Sequence, residues 1–395
     1  MPIAEAEGTP LYIYSADLIR DRYREIDEAF GSYPHAVHYA LKANSTLGIL
    51  RILHGLGSAV DANSGGEIEV ALRAGFSPQD IVFTGVGKSN EEIERAVALG
   101  VKTINVESSG ELDRINAVAE AQGTRARVAL RINPDIDSGS HSHISTGLSA
   151  HKFGIPVDQV RILCRTMSVR KGLILVGIHV HVGSQIVTLE PVRRATEVLV
   201  RLATELCDCG INIEHLDLGG GLGISYDGSL VPSPLDYVST LLAVVRPSGL
   251  NIIVEPGRSV VAPAGALLAR VVDVKEQGSG KRFVVLNAGM SELMRPALYG
   301  AYHRIYVLGN NRNADTVCDV VGPLCETSDV LGTDRLLPAV SVGDLVVVLD
   351  VGAYGSAMSS NYNRHPLPTE VLVDDKTWRV IRRRQTVDDM LACEV

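Results

Sequence analysis

The stretch SAVDANSGGEIEVALRAGFSPQDIVFTG (58–85) decides the architecture. Two short strand-like runs, SAVDAN (58–63) and DIVFTG (80–85), flank GEIEVALRAG (66–75), whose apolar residues recur at helical spacing. Strand, helix and strand in this order make a βαβ unit, with a parallel sheet and a crossover helix. The rhythm continues in both directions. Upstream stand VHYALKA (37–43) and the helical LGILRILHGL (47–56). Downstream come TINVES (103–108), RVALRINP (127–134), LVGIHVHVG (175–183), EHLDLGGG (214–221) and NIIVEPG (251–257). Helical patterns fill the gaps at 90–100, 110–123, near 157–168, at 190–209 and near 235–246. Eight such units predict an α/β chain with a closed (β/α)8 TIM-like barrel, expected over 33–261, rather than an open doubly wound sheet.

After residue 262 the pattern changes. LLARVVDVKE (267–276), RFVVLNAG (282–289), TVCDVVG (316–322), DLVVVLDVG (344–352), TEVLVDD (369–375) and TWRVIRR (377–383) are strands without helices between them. They predict an all-β C-terminal domain. The strand TPLYIY (9–14) has no place in the barrel count and is expected to join it. The second domain is therefore expected to comprise 262–395 together with 1–32. A helix follows that strand, with Leu18, Ile19, Tyr23, Ile26 and Phe30 on one stripe.

Bulk composition narrows the function. With 395 residues, 46% of them hydrophobic, the chain can bury a large core. A net charge of −9 argues against nucleic acid or an anionic membrane surface as a main partner. No apolar run approaches the roughly 20 residues of a membrane helix. The six cysteines (Cys164, Cys207, Cys209, Cys318, Cys325 and Cys393) form no CxxC pair or regular framework, as in a reduced chain. MPIAEAEGTP has neither the basic nor the apolar segment of a secretory signal, so a cytoplasmic location is expected.

The polar and glycine-rich residues collect at the carboxyl ends of the predicted strands. They are Lys42; Ser64, Gly65 and Gly66; Glu107 and Ser108; Arg131 and Asn133; His181, Gly183 and Ser184; Gly219, Gly220 and Gly221; and Glu255, Gly257 and Arg258. In a barrel this is the face on which active sites are built. LDLGGGLGI (216–224) reads as a phosphate cradle flanked by Ser184 and by Gly257–Arg258, the alternative being a tight turn that needs positive φ. HVH (179–181) puts two histidines on one strand face, but no convincing third ligand set accompanies it, so no metal is expected. One histidine packed flat against a planar ring, the other structural, fits as well. Glu255 in VEPGRSVV (253–260) can pair with an arginine or bind a protonated ring nitrogen. A strand-end lysine, a phosphate cradle, a flat-packing histidine and a ring-facing glutamate together describe a site for pyridoxal 5′-phosphate, held through Lys42.

These residues lie in motifs that resemble the pyridoxal-phosphate-dependent decarboxylases of the alanine-racemase-like barrel fold, the diaminopimelate decarboxylases in particular. The resemblance covers nearly the whole chain. It rests on YALKANS (39–45), SGGE (64–67), LRINPD (130–135), HISTG (143–147), KFGI (152–155), GIHVHVGSQ (177–185), LDLGGGLGI (216–224), EPGRS (255–259), MRPALYGAYH (294–303), GPLCETSD (322–329) and GAYGSAMSSNYN (352–363). It implies that Lys42 carries the cofactor and His181 stacks on its ring. Ser184, Gly219, Gly220, Gly221 and the backbone around Pro256 and Gly257 would hold the phosphate, and Glu255 the pyridine nitrogen. Arg258, Arg295 and Tyr299 would contact substrate, and Tyr354 both substrate and cofactor. Cys325 would donate the proton and Glu326 read the distal ammonium. The resemblance further implies that Cys325 and Glu326 enter the site from a partner subunit, hence a homodimer. The small-molecule substrate would be meso-2,6-diaminoheptanedioate and the product L-lysine. The alternatives are ornithine, arginine, a carboxy-polyamine or a siderophore or antibiotic precursor. Arg295 favours a substrate with a distal carboxylate. A racemase would place an arginine at the ring nitrogen rather than Glu255. The chain departs from the pattern at Thr46, where asparagine is expected, and in its short tail after residue 383.

Overall fold

The computed structural model describes residues 2–137, 147, 151–309 and 313–395. These form two compact units. One comprises Arg20–Ile224 and Val231–Ser259, the other Met1–Ile19, Ser225–Leu230 and Val260–Val395.

After a short helix (Pro2–Glu7) come strand β1 (Leu11–Ser15) and the helix Ala16–Ala29. The barrel strands follow: β2 (His35–Ala40), β3 (Ala59–Ala62), β4 (Ile81–Phe83), β5 (Thr103–Val106), β6 (Ala126–Asn133), the two-residue β7 (Ile155–Pro156), β8 (Leu173–His179), β9 (His215–Asp217) and β10 (Asn251–Val254). They pair in parallel in the order β5-β4-β3-β2-β10-β9-β8-β6, and β5 pairs with β6 to close the ring. The predicted eight-stranded barrel is therefore present, with β7 added as a short extension beside β6 at Ile132↔Ile155. A helix lies at every predicted helical stretch.

Serines punctuate the turns from strand to helix. Ser64 accepts the N–H of Glu67, Ser89 that of Glu92, Ser108 that of Glu111 and Ser233 that of Asp236. Each satisfies a donor that would otherwise be orphaned at a helix start, a contribution of about 1 kcal/mol per cap. Ser64 and Ser108 are thus committed as helix caps.

The other unit is a nine-stranded mixed sheet. Its strands are β1, β11 (Gly265–Glu276), β12 (Arg282–Leu286), β13 (Ile305–Val307), β14 (Thr316–Val321), β15 (Val330–Leu337), β16 (Leu345–Leu349), β17 (Thr369–Asp374) and β18 (Thr377–Arg382). As expected, β1 belongs here. It runs antiparallel to β11 (Leu11↔Leu268) and parallel to β17 (Leu11↔Thr369). Leu11, Leu268 and Val371 pack with Ala4 in one buried cluster. Truncating Leu11 to alanine removes contacts on both neighbours, a loss of about 2–5 kcal/mol for a core leucine. Strands β13 and β15 were not anticipated. β13 has only three residues, and the pairing of β15 with β14 is broken by bulges that disrupt its alternation.

Candidate active site

Lys42 does not extend the strand. β2 ends at Ala40, and Leu41–Ala43 form a 3-10 turn. That turn is fastened to the segment after β10. Ala40 N–H donates to the Pro256 carbonyl at 3.1 Å. A Cβ on Gly257 would stand 2.9 Å from that of Ala43, so the approach requires glycine. The Lys42 ammonium lies 2.9 Å from Oδ2 of Asp61, which is wholly buried on β3.

The glycine triplet follows β9. Gly219 and Gly221 adopt φ of 63° and 108°. A Cβ on Gly219 would strike the Val180 carbonyl, one on Gly220 the Glu255 carbonyl and one on Gly221 the Gly183 carbonyl. The turn is therefore glycine both for its φ values and for its packing against the ends of β8 and β10. Two of its N–H groups are spent within the protein: Gly219 donates to Asp217 Oδ1 at 3.0 Å and Gly220 to His181 Nδ1 at 3.1 Å. Gly221 N–H makes no hydrogen bond among the described residues. The Gly220 contact fixes the imidazole plane. Burial, with Lys42 and Arg131 nearby, pushes the His181 pKa well down, so the ring is neutral and Nδ1 is free to accept.

Arg258, itself buried, donates through Nη2 to Ser184 Oγ at 2.9 Å. Glu255 is buried at the end of β10, and its N–H donates to the Gly219 carbonyl at 2.8 Å. Its Oε2 lies 3.5 Å from His179 Nε2, and its Oε1 has no hydrogen-bond partner. Burial alone would raise this carboxyl, but His179 and Lys42 outweigh it and hold it ionised. Lys42, His181, Ser184, Gly219 to Gly221, Glu255, Pro256, Gly257 and Arg258 are thus linked around one barrel mouth. A separate cavity of about 930 Å³, against Cys164, Arg170, Leu173 and Leu206, contains none of them.

Other strand-end residues are spoken for structurally. Arg131 pairs with Glu107 at 2.5 Å, and Glu107 also accepts Gly154 N–H. Arg131 lies over the Phe153 ring and Asn133 donates to the Phe153 carbonyl, so both position KFGI. Of HSHISTG (141–147), all but Gly147 lies outside the described residues.

The remaining predicted residues belong to the β unit. Arg295 is buried, 2.6 Å from His303 Nε2 and 4.6 Å above the Tyr226 ring centroid. Tyr299 closes the short helix Arg295–Tyr299, and Tyr354 holds a left-handed φ of 57°. Cys325 and Glu326 are exposed. Their loop turns around buried Asp329, whose carboxylate accepts the N–H groups of Met290 and Leu324.

The sequence reading missed most of a polar layer beneath the mouth, noting only His179, in HVH. Asp61, Asn105, His179 and Asp217 are all fully buried. Each stands two residues before a strand-end residue (Asn63, Glu107, His181 and Gly219), which the twofold strand period places on the same face. That spacing was the available signal.

The residues fit pyridoxal 5′-phosphate. The unpartnered Glu255 Oε1 suits a ring N–H, Gly221 N–H with Ser184 suits an anion, and Lys42 supplies the amine. Comparison with known proteins agrees. Residues 16–262 match the model of the pyridoxal-dependent decarboxylase, pyridoxal binding domain. A diaminopimelate decarboxylase of Neisseria meningitidis serogroup A is 44% identical, covering 100% of this chain and 96% of that one. The enzyme of the same name from Pseudomonas aeruginosa is also 44% identical, over 99% and 94%. The crystal structure of diaminopimelate decarboxylase from Helicobacter pylori complexed with L-lysine superposes with a TM-score of 0.96 at 41% identity, over 100% and 98%. On its barrel-mouth geometry and these full-length matches, the chain belongs to the pyridoxal-dependent decarboxylases, in the diaminopimelate decarboxylase family.

Proposed function

We propose that the chain decarboxylates meso-2,6-diaminoheptanedioate at its D-centre, releasing CO2 and L-lysine, with its residues in the roles below. The observation that carries the substrate is the match along the entire chain to enzymes of that name. When bound, pyridoxal 5′-phosphate supplies the electron sink for the pair left on Cα as CO2 departs.

Lys42 would hold the cofactor covalently, and Asp61 is the counter-charge for the lysine ammonium. His181, fixed by Gly220, would pack on the cofactor ring. Ser184, Gly221 and the turn around Gly219, Gly220, Pro256 and Gly257 retain the phosphate, with Arg258 orienting Ser184 and meeting substrate. Glu255 keeps a negative charge where the ring nitrogen is protonated. Arg295 reads the distal carboxylate as a planar fork, Glu326 the distal ammonium, and Tyr299 and Tyr354 line the substrate. Cys325 delivers the proton to Cα, completing the exchange of carboxylate for hydrogen.

The active form is a homodimer in which Cys325 and Glu326 serve the partner's site. Their exposure in one protomer supports this. Among the described residues no helix is long and apolar enough to cross a membrane. All six cysteines are free, which supports a cytoplasmic location.

The test is incubation of the cofactor-loaded protein with meso-2,6-diaminoheptanedioate, ornithine and arginine in parallel. Stoichiometric CO2 and lysine from the first is expected. Turnover of ornithine or arginine with none of the first overturns the substrate.

A further inference from the structure

His179, Asp217 and Glu255 come from adjacent strands or their ends, and one ligand-capable atom from each lies within 4.8 Å of the others. His179 and Asp217 face each other in register across β8 and β9, and Asp217 pairs with Ile253 on β10. The three side chains are fully or almost fully buried. Two carboxyl groups this close in a dry interior cannot both ionise, so one proton belongs to the pair. The surroundings say which carboxyl holds it. Glu255 has an imidazole at 3.5 Å. Asp217 forms no ion pair among the described residues: the same imidazole lies within 4.8 Å of it, and its hydrogen bonds come from N–H donors, Gly219 at 3.0 Å and Asn105 Nδ2 at 3.5 Å.

We propose that Asp217 is a positioning residue for the reaction, a protonated carboxyl that couples Glu255 to the glycine turn, with His179 as the second partner that keeps Glu255 ionised. Asp217 accepts Gly219 N–H with one oxygen while its acidic proton serves Glu255. One side chain thereby ties together the two parts of the protein that meet opposite ends of the cofactor. The remaining ionisable neighbours agree with this division. Lys42 and His181 act on Glu255, whereas Asp61 adds negative charge near Asp217; His38, His215 and the Tyr237 hydroxyl are further buried ionisable groups around the cluster. Burial and the Glu255 charge accordingly push the Asp217 pKa well up. This inference rests on the reading that Glu255 faces the ring nitrogen, and not on which amino acid is the substrate.

The experiment is to load the protein with cofactor labelled with nitrogen-15 in the ring and to record the ring-nitrogen chemical shift, cofactor affinity and kcat. Glu255→Gln is the control for the underlying reading: if the ring signal does not move in it, that reading fails, whatever Asp217 does. Given a responsive control, Asp217→Ala is expected to move the signal toward the unprotonated nitrogen, weaken cofactor binding and lower kcat about ten- to a hundredfold, the loss when a buried charged acceptor is deprived of one donor. Asp217→Asn, which can still accept from Gly219 and donate to Glu255, is expected to recover at least about tenfold of that loss. An unmoved ring signal in Asp217→Ala, or Asp217→Asn no better than Asp217→Ala, overturns the proposal. So does one equivalent of tightly bound metal in the native protein, which would make the three residues ligands. If Asp217→Ala fails to fold, His179→Leu against His179→Gln decides: the ring signal is expected to move in the first and to return toward the native position in the second, and an unmoved signal in the first overturns the proposal.

Discussion

The Lys42 ammonium is held 2.9 Å from Asp61 Oδ2, and the Asp61 side chain has no exposed surface. Asn63 Nδ2 lies 3.3 Å from the same oxygen. The carboxylate is therefore built in as a fixed counter-charge, while Lys42 keeps about a third of its surface exposed. In Asp61→Asn the side chain keeps its shape but loses the charge that receives the lysine. Cofactor is expected to remain bound while kcat falls about tenfold or more, the scale of one lost charge-assisted hydrogen bond. Steady-state kinetics alongside the absorbance of bound cofactor checks this, and an unchanged kcat refutes it.

Glu67 offers a pH signature in stability. Its Oε2 accepts Asn63 N–H at 2.6 Å, near Asp61. Burial, reinforced by Asp61 and opposed by the Asn63 hydrogen bond and by Lys42, pushes its pKa from the ordinary 4.5 up to about 7. The folded state thus binds this proton more tightly than the unfolded chain. Ionising Glu67 destabilises the fold progressively as pH rises from about 4.5 to about 7, and the cost is constant above that. Glu67→Gln keeps the acceptor and removes the titration. Its urea midpoint is expected to gain on that of the native protein across this window. Parallel pH dependences for the two proteins would contradict it.

The barrel was legible because each unit is punctuated. Serine caps and positive-φ glycines such as Gly75 and Gly100 end or begin its helices, and the strands between are short apolar runs. The mouth was legible because Lys42, His181, Gly219 to Gly221 and Glu255 stand where strands stop. The layer below was legible only at His179, through HVH; Asp61, Asn105 and Asp217 sit inside those runs, and only the twofold period reveals their face. Asp329 was hidden for another reason. An aspartate in TSD resembles a solvated loop residue until the fold buries it against two backbone segments, one at Met290 and one running from Gly322 to Leu324. The glycine triplet taught a subtler lesson: Gly219 and Gly220 spend their N–H groups on Asp217 and His181, so much of the cradle serves internal order.

Arg295 is expected to govern substrate choice. Its guanidinium is held by His303 at 2.6 Å and by the Tyr226 ring at 4.6 Å, and His303 is anchored by the Leu349 carbonyl at 2.9 Å. Lysine at this position cannot present a planar fork to a carboxylate. Arg295→Lys is therefore expected to raise KM for meso-2,6-diaminoheptanedioate by about ten- to a hundredfold, with a smaller change in kcat. A KM within the native range would remove Arg295 from the substrate site.

The proposed homodimer predicts complementation between inactive proteins. Lys42→Ala removes the amine in the barrel, and Cys325→Ala removes the thiol proposed to donate the proton from the exposed loop. Each alone is expected to lose most activity, by about a hundredfold or more for the proton donor. If Cys325 serves the partner's site, a mixed dimer contains one site with both defects and one with neither. Random pairing after mild dissociation and reassociation then restores about a quarter of the native sites, since about half of the dimers are mixed and each carries one intact site. A monomer whose Cys325 serves its own Lys42 restores none, however long the two proteins are mixed. Activity measured against the mixing ratio separates the two cases, because the restored fraction peaks at equal amounts only when the sites are shared.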